Sequence, residues 1–208
     1  MLRIEKTDVY GWHSAIRGMR NPLNSWDKSD TRFNWEVGKT MIGENDLALM
    51  KKLAKAGDDH AKFLRMINVT CDITAPLYWW KEYDTYKVGT VANSCSTMHK
   101  LHAKEFSFAD FSCERLSIAS LRALEAVIDE LNFNRTCFIE TKDKDYWYEM
   151  VQLLPTSYEQ KRTVQLNYQV LKNIYFARRN HKLDEWHDFC DMLESLPYAE
   201  GIIYNIGG

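Results

Sequence analysis

The sequence predicts an α+β fold in which helices dominate and a few strands form a small mixed sheet. Three observations carry this. From Ser117 to Leu131, the residues Ile118, Leu121, Leu124, Ile128 and Leu131 fall on one helical stripe, with Ser117 placed as the cap. From Ile67 onward, Ile67, Val69, Cys71 and Ile73 alternate with Asn68, Thr70, Asp72 and Thr74, the period of a half-buried strand. No repeat, low-complexity tract or Pro/Gly-rich linker interrupts the 208 residues, so one domain over 1–208 is expected.

Taken in order, residues 2–9 predict a short edge strand and residues 13–20 a short helix ending before Asn21-Pro22. The span 21–43 is polar and rich in turn residues, and Trp26 and Trp35 would anchor it as a long ordered loop. From Asn45, the spacing of Leu47, Met50, Leu53 and Ala54 predicts a helix that Gly57 stops. After the strand come Pro76, an aromatic-rich run from Leu77 to Asp84, and a small polar loop over 85–99. A second long helix is expected over 157–179, after Pro155. A third from Leu183 places Trp186, Phe189, Cys190, Leu193 and Leu196 on one face and ends before Pro197.

Composition narrows the function classes. With 27 Lys+Arg against 29 Asp+Glu, no global charge draws the chain to nucleic acid or to a membrane surface. Five cysteines, an odd number with no CxxC pair, argue against a disulfide framework or zinc knuckle and fit a reducing cytoplasm. The first residues lack an apolar signal core and no run of about 18 apolar residues occurs. A soluble cytoplasmic protein is therefore expected.

Motifs for NTPases, Rossmann oxidoreductases and serine hydrolases are absent. Cys95, His99 and His102 would share a face if helical, and Cys and His ligate zinc. No fourth ligand stands nearby and the small polar residues before His99 predict a loop, so packing or surface roles are favoured over metal. On the C-terminal helix, Asn167, Leu171, Ile174 and Arg178 share a stripe at spacings of 4, 3 and 4. An arginine there either snorkels toward an acid such as Asp184 or Glu185, or recognises an anion at a pocket wall. The helix by itself favours the first.

Two blocks of residues resemble the flavin-dependent thymidylate synthases (ThyX), thinly, from about Ala15 to Trp186. In the first, a helix ends near Gly57-Asp-Asp-His60, the strand leads to Ala75-Pro76, and an eight-residue run precedes the position of the family signature. With one residue inserted around Ala92, Thr85-Tyr86-Lys87 takes the place of Arg-His-Arg and Thr90 that of Ser. Asn93 matches Asn, Ser94 replaces Glu, Ser96 matches the second Ser, and Met98-His99 replaces Arg-Tyr. In the second block, Leu154-Pro155 precedes Asn167, Leu171, Asn173, Ile174 and Arg178, followed by Asn180 to Trp186.

The resemblance implies a mixed sheet flanked by long helices, in a homotetramer whose subunits complete one another's sites. It implies transfer of a one-carbon unit from methylene-tetrahydrofolate to dUMP, with FAD reduced by NADPH as hydride source. Arg178 would contact and polarise the uracil, and Glu82, Lys87, Asn93, Ser94 and Ser96 would join it around the nucleotide. His60, Tyr86, Lys87, Asn93, Asn167 and Asn173 would hold the flavin. No metal is implied.

The departures fall on charge. Arginine suits phosphate because its fork binds two oxygens and stays ionised, yet this degenerate signature loop keeps only Lys87. Each lost charge-assisted hydrogen bond is worth about 1.5–3 kcal/mol. Lys81, Lys100, Arg17 and Arg20 are candidate replacements, and Tyr86, Trp79 and Trp80 candidate stacking residues, with core filling favoured for the two tryptophans. A divergent enzyme and a family-fold protein that binds a nucleotide, flavin or partner without turnover are both compatible with these residues. A plain helical interaction module would require both blocks to be coincidence.

Overall fold

A computed structural model describes residues 2–34 and 36–206, so Trp35 lies outside the described residues. The class is α+β, and the chain divides into two compact units. One comprises the residues through Arg3, Asp72–Thr85 and Asn93–Thr163; the other comprises Ile4–Cys71, Tyr86–Ala92 and the chain from Val164 onward.

Strand β1 (Arg3–Tyr10), in the second of these units from Ile4 onward, leads into helix α1 (Trp12–Arg20) through Gly11. Gly11 has φ +94°, and a Cβ there would come within 2.0 Å of the Met66 carbonyl oxygen, so only glycine fits. Trp12, Ala15, Ile16 and Met19 of α1 are buried. The span 21–43 is more structured than a loop. Two 3-10 turns (Asn21–Leu23 and Trp26–Lys28) precede an antiparallel pair, β2 (Arg32–Asn34) and β3 (Lys39–Met41), with Phe33 opposite Thr40. Helix α2 (Glu44–Lys55) follows.

The span is held by a buried ion pair. Arg20 Nε donates to Asp46 Oδ1 at 2.6 Å, and Asp46 Oδ2 accepts from Ser29 Oγ and from the backbone N–H groups of Asp30 and Thr31. Burial pushes the Asp46 carboxyl up, but the hydrogen bonds from Ser29, Thr31 and Arg20 outweigh it and hold the group below its usual value.

Strand β4 (Asn68–Pro76) matches the predicted alternation, with Val69, Cys71 and Ile73 buried. The expected helix over 157–179 is instead two elements, strand β6 (Glu159–Asn167) and helix α6 (Tyr168–Arg178). Gln160, Val164 and Leu166 are buried with half-buried or exposed neighbours between them, a period-two pattern that suits β-branched Thr163 and Val164. Asn167 then caps α6, its Oδ1 accepting from Val170 N at 3.0 Å. Helix α7 (Asp184–Ser195) buries Trp186, Phe189, Cys190 and Leu193 as the stripe predicts.

In the other unit, α3 (Leu77–Tyr83) buries Trp79, Trp80 and Tyr83, so both tryptophans fill core. Trp80 Nε1 donates to the Gln160 carbonyl at 2.9 Å, and the Arg162 guanidinium lies 4.2 Å over its ring. Helix α4 (Ile118–Thr141) runs ten residues past the predicted Leu131, with Ser117 as its cap. It packs with α5 (Lys144–Leu153) around a core of Leu101, Phe106, Phe111, Leu124, Ile128, Leu131 and Met150. The loop at 85–99 contains strand β5 (Thr90–Ser94), and the sheet order is β1-β4-β6-β5, with β1 at an edge as predicted. Among the described residues, no helix is long and apolar enough to cross a membrane.

Candidate functional site

The residues that converge most closely belong to α6, α7 and the loop that begins at Tyr86. Leu171 and Ile174 are fully buried and fix the roll of α6. Arg178 therefore emerges at its last turn, where the helix dipole favours a cation. Its Nε donates to the Tyr86 hydroxyl at 2.9 Å. Its guanidinium carbon lies 5.6 Å from the Tyr86 ring and 4.8 Å from the ring of Trp186, which is fully buried. Such cation–π contacts suit arginine because a guanidinium is weakly hydrated.

The loop reaches α6 a second time at Gly89. Its φ is +78°, and a Cβ there would sit 2.9 Å from Asn167 Nδ2 and 3.2 Å from Val170 Cγ2. Gly89 thus permits the backbone to lie against the first turn of α6. The Thr90 hydroxyl donates to the Tyr86 carbonyl and closes the loop. Lys87, beside Tyr86, is exposed.

Further along α6, Lys172 Nζ lies 2.9 Å from Asp58 Oδ1, tying the helix to the turn that carries exposed His60. The Lys172 hydrogen bond holds the Asp58 carboxyl below its usual value. Exposed Asn173 accepts from Gln169 Nε2 at 3.1 Å.

Tyr86, Lys87, Asn167, Asn173, His60 and Arg178 thus belong to one compact unit. Glu82, Asn93, Ser94 and Ser96 belong to the other. There Glu82 is half-buried on α3, and its carbonyl accepts from Thr85 Oγ1 at 2.7 Å. Asn93 and Ser94 are exposed on β5, and Ser96 Oγ accepts from the N–H groups of Met98 and His99 at 3.2 and 2.8 Å. Cys95 is pinned to β6, its N–H donating to the Lys161 carbonyl at 2.9 Å.

Two contributors carried weak sequence signals. Gly89 is one glycine in a run of small residues, and Trp186 reads as one of five apolar positions on a stripe. Of the candidate replacement cations, Arg20 is buried against Asp46, whereas Arg17, Lys81 and Lys100 are exposed. Among the described residues no group of three His, Cys, Asp or Glu side chains is placed to hold a metal ion. The His102 ring instead packs on Phe138 at 4.9 Å.

Asn167, Asn173 and Tyr86 offer neutral amide and hydroxyl groups of the kind that suit a ring edge or a polyol chain. Lys87 is the single permanent cation in the flavin-directed set, and it is exposed. The residues fit the neutral parts of a flavin and supply one charge for its phosphates.

No protein-family model and no curated protein matches the sequence. Solved structures match over the whole chain. Two crystal structures of the flavin-dependent thymidylate synthase ThyX from Helicobacter pylori, both with FAD and dUMP, align at a TM-score of 0.71 and 16% identity. One alignment covers 99% of this chain and 100% of the other; the second covers 99% of each. At that identity the likeness is one of architecture: the chain has the ThyX fold of the flavin-dependent thymidylate synthases.

Proposed function

We propose that this chain is a flavin-dependent thymidylate synthase-like protein that catalyses reductive methylation of dUMP. Methylene-tetrahydrofolate would be the one-carbon donor and NADPH the reductant. The observation that carries this reading is Arg178, held between Tyr86 and Trp186 at the end of α6 in a chain with the ThyX fold throughout. Bound FAD would supply the hydride chemistry, and the chain supplies placement and charge.

In this reading Arg178 presents a cation to the uracil, where it stabilises negative charge as it develops. Glu82, Asn93, Ser94 and Ser96 contribute to the nucleotide site, and Lys87 offers its charge to phosphate. His60, Tyr86, Asn93, Asn167 and Asn173 contribute to the flavin site with Lys87. The chain works as one functional domain in the cytoplasm and assembles as a homotetramer.

A second reading, binding of a nucleotide, flavin or protein partner without turnover, is favoured by one observation. Tyr86 stands where the resemblance has the central His of Arg-His-Arg, and its hydroxyl is engaged by Arg178. One preparation separates the two. The visible spectrum on titration with FAD, followed by NADPH oxidation with and without dUMP, should show bound flavin and dUMP-dependent oxidation. Bound flavin without oxidation selects the second reading, and an unchanged flavin spectrum removes both flavin-based readings. Calorimetry with Arg178→Ala should show weakened dUMP binding; unchanged binding would remove Arg178 from the nucleotide site.

A further inference from the structure

The buried pair Arg20–Asp46 is not electrostatically symmetric. The Asp46 carboxylate is shared among four donors: Arg20 Nε, Ser29 Oγ and the backbone N–H groups of Asp30 and Thr31. Arg20 is 4% exposed and gives Nε to Asp46 and Nη1 to the carbonyl and hydroxyl oxygens of Ser25, at 3.2 and 3.3 Å. Among the described residues nothing accepts from its other terminal nitrogen, Nη2. Nη2 is not sealed from solvent, so an acceptor arriving from solution can reach this otherwise buried guanidinium.

That arginine lines a cavity of about 590 Å³, together with Leu23, Ser25, Lys28, Asn45 and Leu49. The wall carries two cations and no carboxylate, in a protein of net charge −2. Lys28 is exposed and forms no ion pair among the described residues. Asp30 is occupied with the N–H groups of Asn45 and Asp46 at the start of α2, and neither Asp27 nor Glu44, the acids next to Lys28 and Asn45 in the chain, lines the cavity. Leu23 is 56% exposed at the wall and gives it an apolar surface. The size falls within the range of small-molecule sites, which pair apolar lining with a few convergent polar groups.

We propose that this cavity is a binding site for a small amphipathic oxyanion, a carboxylate or phosphate ester with a short apolar body. The oxyanion accepts from Arg20 Nη2 and Lys28 Nζ, and the apolar body lies on Leu23 and Leu49. The site is separate from the Arg178 cluster and does not depend on the flavin reading. The 21–43 segment gains a role here, since the turn carrying Ser25 and Lys28 adds a second cation to the cavity wall.

The test is calorimetric titration of the full chain with sodium hexanoate, a probe having one carboxylate and one short chain. Saturable binding is expected at millimolar concentration. Hexan-1-ol and hexylammonium, which lack the anion, should bind at least about tenfold more weakly, in line with loss of a charge-assisted hydrogen bond. Lys28→Glu should weaken hexanoate by about tenfold or more, and Leu23→Ser should weaken it by a smaller factor. Both positions are exposed, so neither substitution threatens the fold, and an unchanged melting temperature without ligand would show that. The proposal is overturned if hexanoate gives no saturable heat, if Lys28→Glu binds it as well as wild type, or if hexan-1-ol binds equally.

Discussion

Arg178 Nε donates to the Tyr86 hydroxyl at 2.9 Å while the guanidinium carbon lies 4.8 Å from the Trp186 ring. The hydrogen bond sets the direction of the side chain and the aromatic contacts set its height. A ligand meeting this arginine does not have to bear the full ordering cost of a long, flexible side chain.

Tyr86→Phe tests that relationship. It removes the acceptor and keeps the ring, and a hydrogen bond from a charged donor is worth about 1.5–3 kcal/mol. Affinity for dUMP should fall by about tenfold in calorimetry, with a melting temperature close to wild type. Equal affinity would show that Tyr86 does not position the arginine.

Gly89→Ala should be destabilising. The left-handed backbone at φ +78° costs an L-residue about 1–2 kcal/mol. The new Cβ would also displace the Asn167 amide, which lies 2.9 Å away and caps α6. Urea unfolding should show a lower midpoint with little change in slope, and flavin titration should report a weaker site.

Asp46→Asn probes the anchor of the 21–43 span. Removing one partner of a buried ion pair costs about 3–5 kcal/mol, read from denaturant unfolding near neutral pH. The pH dependence has a definite sign. The folded carboxyl titrates below its ordinary value of 3.8, so its contribution is complete above that value and disappears as pH falls through the folded pKa. Wild type and variant should therefore converge in stability in acid, and a gap that stays constant would contradict the assignment.

Tyr175 offers an alkaline counterpart. Its hydroxyl donates to Glu194 Oε1 at 2.6 Å, and this bond with burial pushes the phenol up to about 12. A raised folded value means the stabilisation is complete below the ordinary 10 and is lost as pH rises toward about 12. Ultraviolet titration should show a late-ionising tyrosine component near that pH that shifts down in Glu194→Gln. An unshifted titration in that variant would assign the effect elsewhere.

How far the sequence could be read follows from the range of each interaction. Ser117 and the Ile118–Leu131 stripe announce α4 because capping and helical periodicity are local. The β4 alternation, the α7 stripe and the stop after α1 are legible for the same reason. The span 159–166 was not. Its alternation of Gln160, Val164 and Leu166 is diluted by polar side chains and runs directly into a helical stripe. Pairing with strands far away in sequence decides it, and no window of a dozen residues contains those strands. The hairpin within 21–43 and the N-terminal contact at Gly11 depend likewise on partners outside the local chain.

The site divides along the same line. By itself the sequence determined the order of its parts: a polar loop at 85–99 and a helical stripe ending at Arg178. Only the tertiary structure decided that Arg178 meets Tyr86, ninety-two residues away, rather than pointing to solvent. It also decided that Arg20, one of several candidate cations in the sequence, is buried against Asp46 and lines a cavity. The reason is physical. Residue type and spacing specify what a side chain can do, whereas its partners, and hence its charge environment, exist only once distant segments are folded together.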